Sequence, residues 1–408
     1  MQKILIPILL LGGIIGVITY LEAQKVSPSV AQNLNQEKPT QEISDNGVVD
    51  LKTDNLLPTE TKPNQIDKTP EVKPDNKIVS EEIKAKLKKY KKYIELVRPD
   101  GYLNTDKITI GELVGKKVIL VDFWTYSCIN CQRTLPYLNA WYEKYKDDGL
   151  EIIGVHTPEF GFEKIKDNVA SAIAKYNIKY PVVQDNNYQT WSAYQNQYWP
   201  RKYLVDIDGF IVYDHIGEGG YMDTEDKIRE LLEEKKNRLG AKTGLSEATV
   251  SDKIKSQADF SKIASPETYF GSARNNNLGN GIIGKAGTQT LFEPSQSSIV
   301  KNLLYLSGDW NFTSEYAENS ISGGKIIFKY NSKSVYLVTG STDGVEVDVY
   351  RDGSLLTGAG AGSDLKNGGT MIKENRLYKL IEDAEYGEHI LEIRIKSGKL
   401  QAFAFTFG

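Results

Sequence analysis

The only two cysteines of this chain, Cys128 and Cys131, stand three positions apart, directly after a run that reads as a buried strand from Val118 and ends at Phe123. Cys128 therefore falls near the first turn of the helix that follows. Unsatisfied backbone N–H groups and the positive end of the helix dipole favour a thiolate there and lower its pKa below the free value of about 8.5. The two intervening residues, Ile129 and Asn130, put the second sulfur one helical turn away, close enough to form a small disulfide. Cys128 can then attack a substrate disulfide, and Cys131 can resolve the mixed disulfide that results. Haem attachment wants His after the second cysteine, where Gln132 stands, and zinc wants more ligands than the scattered His156, His215 and His389 supply. A chance pair of structural thiols is the bland alternative. No metal or cofactor is expected. With no distant crosslink available, burial must hold the domains together.

The surroundings of this pair alternate strand and helix. Val118 to Val121, Ile152 to Val155, Pro181 to Val183, Tyr203 to Val205 and Ile211 to Tyr213 read as strands. Helices are expected over 131–147, 162–176, 189–198 and 223–238. Such an order predicts an α/β fold with a mixed central sheet flanked by helices. Asp122 lies among apolar strand neighbours. Buried, it has a raised pKa and can take the proton that Cys131 must lose, a hydrogen-bonded strand-end Asp being the alternative. Trp199-Pro200 precedes the strand Arg201 to Val205. A cis bond there presents the Trp199 backbone to an incoming substrate strand, with an ordinary trans turn as the alternative. Trp124, Trp199 and Pro200 are the expected substrate groove. His156 and Glu159 fit either a catalytic or substrate-orienting role or stabilisation of a loop.

The 408 residues predict roughly two to four domains. Apolar residues at 40% and charged residues at 25% exclude a disordered or polytopic membrane chain, and a net charge of −4 gives no field for nucleic acid. Residues 1–23 hold an uncharged apolar run, Ile4 to Leu21, long enough at roughly 27 Å to cross a bilayer. It reads as an uncleaved signal anchor or a removed signal peptide, with a buried soluble helix as the third option. Lys3 favours a cytoplasmic N-terminus, so the body is expected on the extracytoplasmic side, membrane-bound by a single pass or secreted. Residues 24–79 carry six prolines and no aromatic residue and read as a disordered tether of about 40 Å.

A helix opens at the N-cap Ser80, with Ile83, Leu87, Tyr90, Ile94 and Val97 on one stripe and six lysines between Lys84 and Lys92. The lysines suit a solvated face or contact with anionic lipid. Residues 80–238 form the expected α/β domain, 239–264 a linker, and 265–408 an antiparallel β-sandwich. Runs 325–330, 334–338, 345–350 and 390–395 alternate with period two, and Asp352-Gly353 marks a hairpin. Trp310, Phe312 and Tyr316 could stack on sugar rings or lie in the core.

Asp122-Phe123-Trp124 with Cys128-x-x-Cys131 and Pro200 resembles the thioredoxin superfamily. More narrowly, Tyr102 to Asp106, Phe123 to Cys131, His156 to Phe160, Tyr198 to Leu204 and Gly217 to Tyr221 look like the thioredoxin-like portion of the DipZ family, a TlpA/AhpC-TSA-like type. Ser265 to Gly271 resembles the start of that family's C-terminal β-domain. The resemblance covers roughly 98–408. It implies a thioredoxin fold, Cys128 as nucleophile, Cys131 as resolver, Pro200 in cis and a C-terminal module similar to carbohydrate-binding sandwiches. DipZ proteins typically carry a multi-span region of CcdA type, whereas this chain shows one apolar segment and a tether. Electrons are then expected from a separate membrane partner of CcdA type, unless the pair works as an oxidant. Protein disulfides or dithiols are the expected substrates, and glycan or cell wall a possible ligand of the C-terminal domain. Two other classes stay open: a thiol peroxidase, and a non-enzymatic surface-binding module on a thioredoxin scaffold.

Overall fold

The computed structural model describes residues 81–239, 245, 248–254, 258–320 and 323–408. The expected membrane segment 1–23, the tether 24–79 and the N-cap Ser80 lie outside the described residues. Among the described residues no helix is long and apolar enough to cross a membrane. Residues Ala85–Gly408 make one compact unit; of the other, Met1–Lys84, only the first residues of a helix are described.

That helix, α1 (Glu81–Lys89), stops well before Val97, where the apolar stripe had placed its end. The chain instead extends into β1 (Lys91–Lys92), which pairs antiparallel with Phe210 and Ile211. An open sheet edge satisfies backbone groups as well as another helical turn does, and here it also lets Leu96 enter the core. Lys86 is not solvated either: its ammonium lies 2.8, 3.0 and 2.6 Å from carboxylates of Asp206, Asp208 and Glu234.

The first sheet continues with β2 (Gly101–Leu103), then α2 (Ile110–Leu113), β3 (Val118–Trp124), α3 (Ile129–Tyr145) and β4 (Leu150–His156). A 3₁₀ turn (Gly161–Lys164) leads into α4 (Lys166–Lys175), β5 (Val182–Gln184), α5 (Gln189–Ala193), β6 (Arg201–Val205), β7 (Phe210–Ile216) and α6 (Tyr221–Leu239). Strand order is β1-β7-β6-β3-β4-β5-β2. β3, β4 and β5 run parallel, while β6 lies antiparallel to β3 and β7. This is the thioredoxin arrangement. β3 is central and buried along its whole length. Val118, Leu120 and Trp124 pack into one core, and Ile119, Val121 and Phe123 into the core on the opposite face. The alternation of side chains along a strand makes that division. The short α5 and the late start of α4 are the main departures from the expected helices.

Beyond Ser265 an eleven-stranded sheet forms among the described residues, with its named strands paired antiparallel. The two expected strands at 325–330 and 334–338 are one bent strand, Lys325–Gly340, with an irregularity at Ser332 to Ser334. Its first half pairs with Leu304–Phe312 and its second half with Gln401–Phe407. Both of those partners also pair with Ala317–Asn319. The sheet thus closes a ring around its own apolar core. Trp310 and Phe312 lie in that core, and the half-buried Tyr316 packs on Phe403. Of the two readings open for these three aromatics, sugar stacking or core packing, the structure favours packing.

The thioredoxin part and this sheet share a core. Tyr336, Val338, Leu377, Phe403 and Ala404 belong to the same buried cluster as Leu135, Leu138 and Trp141 of α3. Within the segment read as a linker, the Ser251 hydroxyl accepts from Trp141 Nε1 at 2.9 Å and the Ile254 carbonyl from the Tyr137 hydroxyl at 2.9 Å.

Candidate active site

The site is built where β3 ends and α3 begins. Cys128 is the N-cap of α3, with extended φ and ψ of −76° and 120°, and its Sγ accepts from the Cys131 backbone N–H at 3.4 Å. A sulfur in the N-cap position takes the place of the usual capping oxygen and faces the helix's unpaired N–H groups. Cys128 is partly exposed, whereas Cys131 is 1% exposed, and both thiols are free. Burial pushes the Cys131 thiol well up, the neighbouring Cys128 sulfur adds to this, and the Thr125 backbone opposes it. An outer sulfur that meets solvent and an inner one that must be helped to lose its proton form an asymmetric pair.

The help stands behind Cys131. Asp122 is 1% exposed, and burial raises its carboxyl to about 7 against the attraction of Lys202. The register of β3 and β6 pairs Asp122 with Lys202 directly. Lys202 is fully buried, burial lowers its ammonium pKa against the pull of Asp122, and Nζ donates to the Gly217 carbonyl at 3.2 Å. Lys202 lies within the Tyr198 to Leu204 motif, where its spacing alone marks no role. A lysine between strand residues beside a buried acid, on the neighbouring strand, was the available signal.

The turn from Thr125 to Cys128 is held from below by Glu163. Its carboxylate accepts from the Ser127 hydroxyl at 2.6 Å and from the Glu159 and Phe160 backbone N–H groups at 2.5 and 2.9 Å. Burial raises Glu163 to about 6, opposed by its bond from Ser127. Nothing in the local sequence pointed to it, because its partners are brought together only by the packing of the 3₁₀ turn under the site.

The Trp199–Pro200 bond is cis, Trp199 is partly exposed, and Pro200 is buried. Trp199 Nε1 donates to the Thr157 carbonyl at 3.0 Å, and the Thr157 N–H donates to the Trp124 carbonyl at 3.0 Å. That chain of bonds fastens the Trp199 ring beside the end of β3. Trp124 itself is not on the groove. It is fully buried, on the same face of β3 as Asp122, with its ring edge-on to His156 at 5.1 Å. The alternation that aims Asp122 inward also aims Trp124 inward, so this expectation is corrected.

His156 is fully buried and burial lowers it to about 3, so it is a neutral packing residue stacked on Tyr126 at 5.7 Å. Glu159 forms an ion pair with Arg274 at 2.8 Å and accepts from the Tyr269 hydroxyl at 2.9 Å, both from the C-terminal part of the chain. It fastens a loop. The Tyr126 hydroxyl reaches the Asn375 carbonyl at 3.2 Å, which places a turn of the second sheet against the active-site loop. A cavity of about 320 Å³ opens along α3, lined by Ile129, Gln132, Tyr137, Tyr176, Tyr336 and Leu377 among others. Arg133 is engaged by Glu218 at 2.7 Å and Asn130 at 2.7 Å.

A buried strand, a helix capped by the first cysteine of a C-x-x-C pair, and a cis-proline strand beside it make up a thioredoxin fold that carries a dithiol pair at its helix start. Residues 92–214 match the AhpC/TSA family and residues 265–408 the family described as thioredoxin like C-terminal domain. The chain is similar to DipZ: it is 37% identical to Protein DipZ of Mycobacterium tuberculosis over 311 residues, covering 76% of this chain and 41% of that protein. It thus spans about two-fifths of the length of the DipZ proteins it matches. It is also 28% identical to thiol-disulfide oxidoreductase YkuV of Bacillus subtilis, over 34% of this chain and 93% of that one. Among solved structures, a putative thiol:disulfide interchange protein DsbE from Chlorobium tepidum is similar at 22% identity and a TM-score of 0.32, covering 35% of this chain and 96% of its own.

Proposed function

We propose that this chain exchanges disulfides with protein substrates on the extracytoplasmic side of the cell membrane, to which its N-terminal segment holds it. The observation that carries the reading is the partly exposed Cys128 sulfur at the N-cap of α3, with the buried Cys131 one turn behind it. The Cys128 thiolate attacks one sulfur of a substrate disulfide. A Cys128–substrate bond forms, the other substrate sulfur leaves as thiolate, and solvent protonates it. Cys131 then gives its proton to the Asp122 carboxylate, and its sulfur attacks Cys128 Sγ. The second substrate thiolate leaves, and the Cys128–Cys131 disulfide remains. Two electrons have passed to the substrate; the same steps reversed oxidise a dithiol.

The Trp199 peptide, just outside β6, receives the substrate strand beside the sulfurs, with Pro200 fixing its direction. A membrane partner of CcdA type returns the electrons. The C-terminal sheet takes part in docking protein substrates, a reading supported by its contact with Tyr126 and by the buried state of Trp310 and Phe312, which removes the main argument for a glycan platform. Likeness to DipZ and YkuV supports the chemistry. Reduction of insulin disulfides tests it: Cys128→Ser is expected to lower the rate by at least ~100-fold, and an undiminished rate contradicts the assignment.

A further inference from the structure

Arg133 and Glu218 form an ion pair at 2.7 Å whose side chains are only 9% and 4% exposed. Taking both charges from water offsets much of their attraction, so such a pair adds little to stability by itself. Its position says more. Arg133 stands two residues after Cys131 on α3, and its Nη2 donates at 2.7 Å to Asn130 Oδ1, inside the spacer between the cysteines. That bond turns the guanidinium back toward the turn that Cys128 caps, within roughly 10 Å of its sulfur by helix geometry. Glu218 comes from the loop after β7. Gly217, Gly219 and Gly220 around it have φ of 79°, 92° and 58°, a path that residues with side chains rarely take. The loop is tied to the other wall of the site: the Gly217 N–H donates to the Pro200 carbonyl at 2.8 Å, and Lys202 Nζ donates to the Gly217 carbonyl at 3.2 Å. One carboxylate thus joins the cysteine-bearing turn to the cis-proline strand.

We infer that Glu218 is a positioning residue for attack by Cys128: it holds the Arg133 guanidinium on Asn130 and cancels a cation that would otherwise stabilise the Cys128 thiolate. At ~10 Å and an effective dielectric of about 20, an uncompensated unit charge is worth about one pH unit on a neighbouring thiol. A thiolate spared that stabilisation is more basic and the stronger nucleophile toward a disulfide. Other groups face the pair. Lys202 of β6 and Arg133 both oppose the upward push that burial gives the Glu218 carboxyl. His215 of β7 has its Nε2 3.3 Å from the Glu218 carbonyl, and the Glu218 charge acts on the hydroxyls of Tyr137 on α3 and Tyr221 on α6. The Phe260 ring lies 5.6 Å from the guanidinium, and the Gly408 backbone lies against its Nη1. Cys131 and, behind it, Asp122 complete the surroundings of the Cys128 sulfur. The inference rests on the dithiol reading proposed above.

The test reads alkylation of Cys128 by iodoacetamide from about pH 5 to 10 in the reduced full chain, mass spectrometry assigning the modified sulfur. The variants are Glu218→Gln, Glu218→Asp, Arg133→Gln and the double variant Glu218→Gln with Arg133→Gln. Glu218→Gln is expected to move the midpoint of the profile down by about 0.5–1 pH unit, and Arg133→Gln to move it up by a similar amount. The double variant and the charge-keeping Glu218→Asp are expected to stay near the wild type. A clamp without an electrostatic part moves both single variants the same way, and that result overturns the inference. An unmoved midpoint in Glu218→Gln overturns it too. The amide in Glu218→Gln still offers an oxygen to Arg133 Nε, so this variant decides the matter even where Arg133→Gln fails to fold. Insulin reduction by the wild type is scored separately: its absence contradicts the dithiol reading, while the midpoints still decide the role of Glu218.

Discussion

A carboxyl and an ammonium facing each other inside a sheet work against their own ionisation. Taking both charges from water costs several kcal/mol, and mutual attraction recovers only part of it. Asp122 accordingly rises from 3.8 to about 7 while Lys202 is lowered. The folded state holds a proton on Asp122 that the unfolded chain has lost between those two values. The contribution of this group to stability is therefore present below about pH 4 and is lost as pH rises through about 7. Asp122→Asn removes that dependence. Thermal or urea unfolding of the variant is expected to gain about 2 kcal/mol on the wild type between pH 5 and pH 7. The same substitution is expected to slow resolution roughly 100-fold and to flatten its rise near neutral pH. A difference between the two proteins that does not change with pH contradicts this account of Asp122.

At the scale of elements, the site depends on a four-residue turn whose shape is set from another part of the chain. Glu163 supplies acceptors to Ser127, Glu159 and Phe160 at once. Glu163→Ala leaves those buried donors unpaired and is expected to cost about 3 kcal/mol in unfolding experiments, with slower attack by Cys128 on a disulfide reagent; Glu163→Gln is expected to recover part of both. An alanine variant as stable and as reactive as the wild type contradicts the role of Glu163. This is also where sequence reading reached its limit. β3, α3, β4 and the cysteine spacing were legible because periodicity and the cysteine positions are local. The end of α1 was not, since Lys91 and Lys92 leave the helix only because β7 offers them an edge. Trp124 was placed on the groove because its neighbours in sequence are near the sulfurs, although the alternation of β3 already sends it inward with Asp122. Glu163 reaches the site through tertiary packing, which no short motif records.

Across the whole unit from Ala85 to Gly408, the second sheet completes the core of the first rather than trailing behind it. Phe403 packs against Phe160 at 5.1 Å and Phe162 at 4.8 Å, two residues of the segment that carries Glu163. Phe403→Ala, at a position 3% exposed, is expected to cost about 3–5 kcal/mol. Because the core is shared, calorimetry is expected to show one transition lowered as a whole; a split in which the thioredoxin-like part melts unchanged contradicts a common core. The Asn375 turn of the same sheet meets Tyr126 in the loop that leads to Cys128.

Intact-mass analysis of Cys131→Ser after incubation with a disulfide-bonded protein tests the division of labour between the two sulfurs most directly. The expected product is a stable adduct on Cys128 that dithiothreitol releases and that the wild-type chain does not accumulate. Absence of any adduct, or an adduct of equal yield in Cys128→Ser, contradicts attack by the outer sulfur and resolution by the inner one.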